Sequence, residues 1–272
     1  MSSTNLISDP FLEKNYVLRD GIYINLNQPI DSKGFQDAYL DVRDKEGRLY
    51  DINTLQLLPG VAENHPLAHE WGIRKRSAEK FAAYLTSKNK DLKVLEIGCG
   101  NGWLTNYLAK RLPDSQFIGM DVNWAELLMA EEAFTDAKNI NWIYDEISKQ
   151  ESLPKQYFDI VYFAAAIQYF PNLKDLFSKV SKYLAAGGEI HILDSPFYSN
   201  KQAKKATQRS LDYYAKSAPE MANYYFHQTL KNLNRSGFKI KKMNATPPFS
   251  FLKKLDKKGL WDYFGWYCLT KP

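Results

Sequence analysis

Three glycines at alternate positions, Gly98, Gly100 and Gly102, follow an apolar segment that contains one acidic residue, Glu96. Glycine adopts positive φ values readily and allows a ligand to approach the backbone closely. A buried strand that ends in such a turn and then opens a helix forms a nucleotide-sized cleft in α/β folds. The spacing therefore predicts a ligand site at the end of a strand over residues 92–97.

The residue after the third glycine distinguishes between two classes of nucleotide ligand. Dinucleotide folds use G-x-G-x-x-G and place the pyrophosphate on the helix N-terminus. In this sequence Trp103 takes the position of the third dinucleotide glycine, where its bulk would obstruct close packing of helix and strand. The loop therefore suits a ligand with an amino-acid group and a nucleoside, and an NAD-dependent oxidoreductase is disfavoured.

Strand and helix patterns alternate from residue 92 onward. Apolar strand segments end at Ile97, Asp121, Asp145 and Phe163, and helical patterns separate them. Such alternation implies parallel strands joined by right-handed crossovers, hence a doubly wound α/β sheet. Because ligands bind outside the carboxyl ends of such strands, we expect the residues at these ends to meet in one site.

Four segments are expected along the chain. Residues 1–70 combine turn formers with short strands and form an N-terminal extension or lid, and residues 71–195 form the ligand-binding core. Residues 196–236 hold two helical patterns rich in Lys and Tyr, which we interpret as a substrate cap, with ordinary helix packing as the alternative. Residues 237–272 complete the sheet and end in an aromatic strand over 261–269.

The first motif resembles that of the class I S-adenosylmethionine-dependent methyltransferases, an acidic residue followed by G-x-G-x-G. Glu96, Gly98, Gly100 and Gly102 match it, and ordered motifs of this kind cover roughly residues 90–195. The resemblance implies a Rossmann-like, mostly parallel seven-stranded sheet with an antiparallel last strand. It also implies S-adenosyl-L-methionine as the cofactor, with the glycine loop near its methionine part.

The resemblance further implies roles for the residues at the next strand ends. Asp121 would hold both ribose hydroxyls, with a helix N-cap as the alternative, and Asn123 is the more favoured cap. Asp145 would accept from the adenine amino group, with a surface-loop acid as the alternative. The expected cofactor-binding residues are Glu96, Gly98, Cys99, Gly100, Gly102, Asp121, Val122, Asp145, Glu146, Ile147 and Ala164.

No catalytic residue is identified by the motifs. A base would help a hydroxyl acceptor lose its proton, and the candidates are His65, His69, His227 and Tyr169. The two histidines before the predicted entry helix have a spacing that would permit a metal pair, but Pro66 weakens the argument that they lie on one helical face. We therefore expect no metal site.

Composition bears on the cellular compartment of the protein and on its classes of binding partner. Two cysteines among 272 residues give no disulfide framework, which favours a reducing cytoplasm. The N-terminus lacks a basic region followed by an apolar core, and no apolar stretch is long enough to span a bilayer. A net charge of +5 is too small for a nucleic-acid footprint.

These observations lead to an expected activity. We expect transfer of a methyl group to an O, N or C nucleophile of a small molecule that is acidic or aromatic, without membrane or nucleic-acid partners. The alternatives are an RNA or protein methyltransferase and a non-catalytic S-adenosylmethionine-binding module. The sequence leaves the acceptor and the oligomeric state open.

Overall fold

A mostly parallel sheet forms the centre of the protein. The computed structural model describes residues 10–25, 33–149, 151–244 and 262–272, and within these ranges the sheet has nine strands. The strands are β1 (Val17–Arg19), β2 (Ile22–Ile24), β3 (Lys93–Ile97), β4 (Gln116–Asp121), β5 (Ile140–Tyr144), β6 (Phe158–Ala164), β7 (Leu184–Leu193), β8 (Lys239–Lys242) and β9 (Tyr267–Thr270). Their order across the sheet is β1-β2-β5-β4-β3-β6-β7-β9-β8.

Strand β3 lies in the middle of the parallel part. Its residue Leu95 pairs with Ile118 of β4 on one side and with Val161 of β6 on the other. The pairs β2–β5, β5–β4 and β6–β7 are also parallel, whereas β9 runs antiparallel to both of its neighbours. The predicted parallel sheet with an antiparallel last strand is therefore confirmed.

Helices cover both faces of the sheet. Those of the described residues are α1 (Pro10–Asn15), α2 (Lys33–Lys45), α3 (Ile52–Leu57), α4 (Ala68–Thr86), α5 (Trp103–Ala109), α6 (Trp124–Ala133), α7 (Leu173–Val180), α8 (Asn200–Ser217) and α9 (Leu230–Asn234). Phe81, Leu104 and Leu127 of α4, α5 and α6 belong to one buried cluster, and Phe177 and Leu233 of α7 and α9 belong to another. Two apolar layers are what a doubly wound sheet requires. No helix within the described ranges is both long and apolar enough to cross a membrane.

The sheet extends beyond the seven strands that the resemblance implies. The hairpin β1–β2 adds to the edge at β5, where Ile22 pairs in parallel with Trp142. The hairpin turns at Asp20 and Gly21, which have φ values of 50° and 77°. Ile22 is fully buried, so the added strand extends the core as well as the sheet. The implied seven strands are β3 to β9.

Two expectations for the C-terminal third need correction. The second helical pattern of the insertion is divided between a short 3₁₀ helix at Pro219–Asn223 and α9, because the Thr229 side chain caps a new helix. The final strand, expected over 261–269, occupies Tyr267–Thr270, and residue 261 lies outside the described ranges.

Candidate functional site

The glycine loop after β3 has the conformation that its sequence predicts. Gly98, Gly100 and Gly102 have φ values of 75°, 53° and 71°. The Gly98 N–H donates to the Met120 carbonyl oxygen at 2.8 Å, which holds the loop against β4. A Cβ on Gly98 would lie 2.7 Å from the Cβ of Ala166, so there is no space for a side chain. The loop thus requires glycine for its φ values and for its close packing.

Asp121 at the end of β4 holds this loop directly. Its Oδ2 accepts from the Gly100 N–H at 2.7 Å, and its Oδ1 accepts from the Asn123 N–H at 2.8 Å. Burial raises the pKa of Asp121, and these two backbone donors oppose the shift. The Asn123 side chain accepts from the Glu126 N–H and caps α6, as predicted.

Asp145 after β5 is bound by the N-terminal region. Its Oδ2 accepts from the Tyr16 hydroxyl at 3.1 Å and from the Asn25 amide at 3.0 Å, while its Oδ1 accepts from the Glu146 N–H at 2.7 Å. Asp145 is only 1% exposed, so the alternative of a surface-loop acid is wrong. The carboxylate is therefore a buried group at the end of β5.

A cavity of about 2150 Å³ opens at the carboxyl ends of the parallel strands. Small-molecule sites usually measure about 300–1000 Å³, so this space can hold a cofactor together with a second molecule. Nine of the residues expected to bind a cofactor line it: Gly98, Cys99, Gly100, Asp121, Val122, Asp145, Glu146, Ile147 and Ala164. The ends of β3, β4, β5 and β6 therefore meet in one cavity, as expected.

Glu96 and Gly102 do not line the cavity, so the expectation that they contact a ligand is corrected. Glu96 is 3% exposed and accepts from the Tyr162 hydroxyl at 2.7 Å and from the Thr105 hydroxyl. It therefore joins β3 to β6 and α5 from inside the protein. Gly102 is the residue before α5, and a Cβ there would overlap the Trp142 ring of β5 and lie 2.9 Å from the Cβ of Ala130 on α6.

An aromatic wall lies opposite the strand ends. It consists of Phe35, Tyr39, Tyr169, Tyr224 and Tyr225, which all line the cavity. The ring centroids of Phe35 and Tyr169 are 5.6 Å apart, those of Tyr39 and Tyr169 are 5.8 Å apart, and those of Tyr169 and Tyr225 are 5.8 Å apart. These three pairs are edge-to-face, which is a favourable arrangement of aromatic rings. The wall combines α2, the segment after β6 and the insertion.

The insertion both packs on α2 and faces the cavity. Tyr214 of α8 lines the cavity and is also buried in one cluster with Val42 of α2, Ala218 and Met221. The position of Tyr214 is therefore compatible with a substrate cap and with ordinary helix packing, and the cap stays a prediction.

Two of the catalytic candidates line the cavity, His69 and Tyr169. Burial raises the pKa of Tyr169 to about 12, although the nearby Arg43 opposes the shift. The phenol is therefore protonated at neutral pH. It can donate a hydrogen bond to a ligand, but it is a poor candidate for a base.

The other two candidates face protein groups. His65 accepts from the Leu67 N–H with its Nδ1 at 3.0 Å, just before α4. The ring nitrogens of His227 lie 3.3 Å from the Thr207 hydroxyl and 3.1 Å from the Ser210 hydroxyl on α8. Neither histidine lines the cavity, so a direct role of either in proton transfer has no support from its position.

Charged groups from outside the motifs also line the cavity. Glu70 of α4 accepts from both terminal nitrogens of Arg48, at 2.6 and 2.5 Å, and from Arg74 at 2.9 Å. Arg43 of α2 and Glu126 of α6 form a second, longer ion pair with 4.0 Å between Nε and Oε1. Sequence patterns missed these ion pairs, because most of the contacts join segments that are distant in the chain.

One group in the described residues brings three possible metal ligands together, away from the cavity. Donor atoms of Glu189, His191 and Cys268 lie within 4.8 Å of one another. However, His191 Nδ1 already accepts from the Trp266 indole N–H at 3.1 Å, its Nε2 lies 3.1 Å from Glu189, and Lys88 donates to the same glutamate at 2.7 Å. The histidine nitrogens and the glutamate thus already belong to a polar network that joins β7 to Trp266 and to Lys88 after α4.

Comparison with known proteins adds to this geometry. Residues 94–188 match the model of a family described as a methyltransferase domain. Malonyl-[acyl-carrier protein] O-methyltransferase 1 from Ilyobacter polytropus is 27% identical over 118 residues, which are 43% of this chain and 43% of that relative. The match thus spans less than half the length of either protein.

Two solved structures have a similar fold. The CurJ carbon methyltransferase superposes with a TM-score of 0.57 at 15% identity, covering 90% of this chain and 72% of that one. The plantazolicin methyltransferase BpumL, in complex with a triazolic desmethylPZN analog and S-adenosylhomocysteine, superposes with a TM-score of 0.52 at 20% identity, covering 88% and 96%. The family match thus identifies a methyltransferase domain over residues 94–188, and the two superpositions show that the chain has the fold of these methyltransferases.

Proposed function

We propose that the protein transfers the methyl group of S-adenosyl-L-methionine to a nucleophile of a small molecule. The observation that carries the proposal is the convergence of nine expected residues on one cavity at the strand ends. The methyltransferase names of its relatives support the same reaction. When bound, the cofactor supplies an electrophilic methyl group on a sulfonium.

The described residues fit such a cofactor. Gly98 and Gly100 line the cavity and have no side chains of their own, so a ligand can approach their backbone closely. Asp121 accepts one backbone N–H on each carboxylate oxygen, and a carboxylate offers further lone pairs that a ligand hydroxyl can use. Asp145 and the backbone of Glu146 form the next part of the wall. These residues bind and orient, and positioning alone can supply much of the rate.

The acceptor in this proposal is an acidic or aromatic small molecule. The aromatic wall offers ring faces and edges to a planar or apolar body. Arg43 lines the same space, and among the described residues its Nε has no hydrogen-bond partner. A guanidinium with free donors suits a carboxylate. Tyr169 stays protonated and would orient the acceptor by donating a hydrogen bond.

Calorimetry with S-adenosylhomocysteine tests the cofactor assignment. We expect the wild-type protein to bind it and Asp121→Ala to bind at least about 100-fold more weakly, since two charge-assisted contacts are lost. Asp114→Ala, which removes an exposed acid, is the matched control and should bind as the wild type does. Circular dichroism would establish that both variants are folded. Equal affinity of all three proteins would contradict the assignment.

A transfer assay distinguishes an enzyme from a binding module. The protein would be incubated with methyl-labelled S-adenosylmethionine and a fractionated small-molecule extract. Label should appear in a small-molecule fraction with the wild type and disappear with Asp121→Ala. Tight cofactor binding without any transfer would favour the non-catalytic alternative.

A further inference from the structure

Glu126 places a second carboxylate beside the glycine loop. It lies in the first turn of α6, is 2% exposed, and lines the cavity next to Asp121. A Cβ built on Gly100 would contact its Oε2. Asp121 binds the N–H of the same glycine from β4. Two carboxylates therefore flank Gly100 at the wall of the cavity.

The two carboxylates differ in their hydrogen bonds. Asp121 receives backbone donors from Gly100 and Asn123. No hydrogen bond from the described residues reaches the carboxylate of Glu126, whose nearest cation is Arg43 at 4.0 Å. A buried carboxylate normally has donors on both oxygens. The open acceptors of Glu126 therefore call for donors from a molecule in the cavity.

Arg43 supplies charge to this carboxylate without satisfying it. Its guanidinium lies 5.7 Å from the centroid of the Tyr39 ring, and its Nε is buried without a hydrogen bond from the described residues. Burial raises the pKa of Glu126 to about 7, Arg43 lowers it, and Asp121 raises it further. The Glu126 carboxyl is therefore partly protonated near neutral pH, and the positive charge from α2 opposes that protonation; the ionised form is the better acceptor for hydroxyl donors.

We infer that Glu126 accepts a hydrogen bond from a ribose hydroxyl of the cofactor, beside Asp121, in a subsite of two carboxylates. A ribose presents two neighbouring hydroxyl donors, which match two neighbouring carboxylates with open lone pairs. The inference rests on the proposed function and extends it to a residue outside the motifs. The competing role, a general base for the acceptor, is less favoured because the carboxylate lies against the cofactor loop.

Calorimetry on the whole protein tests the inference. S-adenosylhomocysteine and its 2′-deoxy and 3′-deoxy analogues would be titrated into wild type, Glu126→Gln and Glu126→Ala. We expect Glu126→Gln to weaken S-adenosylhomocysteine by about 10- to 100-fold, as for loss of a charge-assisted hydrogen bond. For one deoxy analogue the wild type and the variant should bind alike, since the donor is already missing. Glu132→Gln on the same helix is exposed and should bind as the wild type does.

The outcomes separate the two proposals. No binding of S-adenosylhomocysteine by the wild type overturns both. Binding by the wild type with an unchanged affinity of Glu126→Gln and Glu126→Ala overturns the inference alone. Unchanged affinity with loss of transfer activity assigns the base role instead. If Glu126→Gln weakens the binding of S-adenosylhomocysteine and of both deoxy analogues by the same factor, the two changes are additive. That result also overturns a direct contact of Glu126 with the ribose.

Discussion

The carboxyl group of Glu96 is buried between β3, β6 and α5, where Tyr162 and Thr105 donate to it. Burial raises its pKa to about 8, and these donors oppose the shift. A glutamate in an unfolded chain titrates near pH ~4.3. The folded protein therefore holds one more proton than the unfolded chain between these two values. The contribution to stability is fully present below the unfolded pKa and is lost as the pH rises through about 8.

Glu96→Gln tests this linkage. The unfolding midpoint of the wild type should fall as the pH rises from ~4.3 toward about 8, and the variant should lose less, because its amide does not ionise. A change of about 1 kcal/mol in the free energy of unfolding moves the midpoint by ~2–4 °C in a protein of this size. We therefore expect the midpoints of the wild type and the variant to diverge by a few degrees as the pH approaches about 8. Asp114→Asn on the surface should follow the wild type.

Parallel curves for Glu96→Gln and wild type would contradict the prediction. Glu126 and Asp194 also have pKa values raised by burial, to about 7 and about 6, so the comparison between the two proteins is the informative quantity. The affinity for S-adenosylhomocysteine should stay within about 3-fold of the wild type, because Glu96 does not line the cavity.

Single residues of the site differ in how far sequence could identify them. The apolar pattern places Asp121 and Asp145 at strand ends, which meet in a parallel sheet, and the family resemblance implies their ligand roles. Glu126 was missed, although a signal exists: it falls in the helical stripe of Ala130 and Ala133, which are buried. An acid in an apolar stripe is costly to bury unless a partner or a ligand compensates it. Its partner Arg43 comes from a distant helix that no local pattern places.

At the scale of elements, the turn after β3 depends on two separate properties of glycine. Gly98 has φ 75° and lies against Ala166, whereas Gly47, after α2, has φ 63° and no atom within 4 Å of the point where a Cβ would lie. The first position combines backbone strain with overlap, and the second has strain alone. The pair therefore separates the two contributions.

Gly98→Ala should lower the free energy of unfolding by about 2–4 kcal/mol, since a positive φ and overpacking both contribute. Gly47→Ala should cost only about 1 kcal/mol. Urea denaturation at constant slope would measure both values. Equal losses in the two variants would show that Ala166 gives way without cost. A loss below about 1 kcal/mol for Gly98→Ala would contradict the packing of the loop.

Elements were predicted best where their pattern is local. The alternation of strands and helices from β3 onward follows directly from apolar periodicity. Helix α2 was missed within a segment rich in turn formers, although Phe35, Tyr39 and Val42 have helical spacing. Its place on the cavity depends on packing against α8 and the 3₁₀ helix at Pro219–Asn223, which no local signal contains.

At the scale of the molecule, the cavity lies between the sheet and a cover built from α2 and the insertion. The strand ends contribute carboxylates, the glycine loop and Tyr169 after β6, while the cover contributes the other rings of the aromatic wall and Arg43. A ligand that fills the cavity contacts both parts. Its binding energy therefore adds to the stability of the folded chain as a whole.

S-adenosylhomocysteine at about 100 times its dissociation constant should stabilise the protein by about 2.7 kcal/mol. The unfolding midpoint should then rise by roughly 5–11 °C. Differential scanning fluorimetry measures the shift, and Asp121→Ala at the same ligand concentration is the control that should show little of it. An unshifted midpoint of the wild type under saturating ligand would contradict binding in this cavity.

The residues that flank the hairpin at the sheet edge also contact Asp145, which lines the cavity. Tyr16 and Asn25 both donate to Oδ2 of Asp145, and two donors use the two lone pairs of that oxygen. The binding of a ligand that donates to this carboxylate is thus coupled to the docking of Tyr16 and Asn25 against Asp145. Such linkage is reciprocal: the factor by which docking changes the affinity is the factor by which the ligand changes docking.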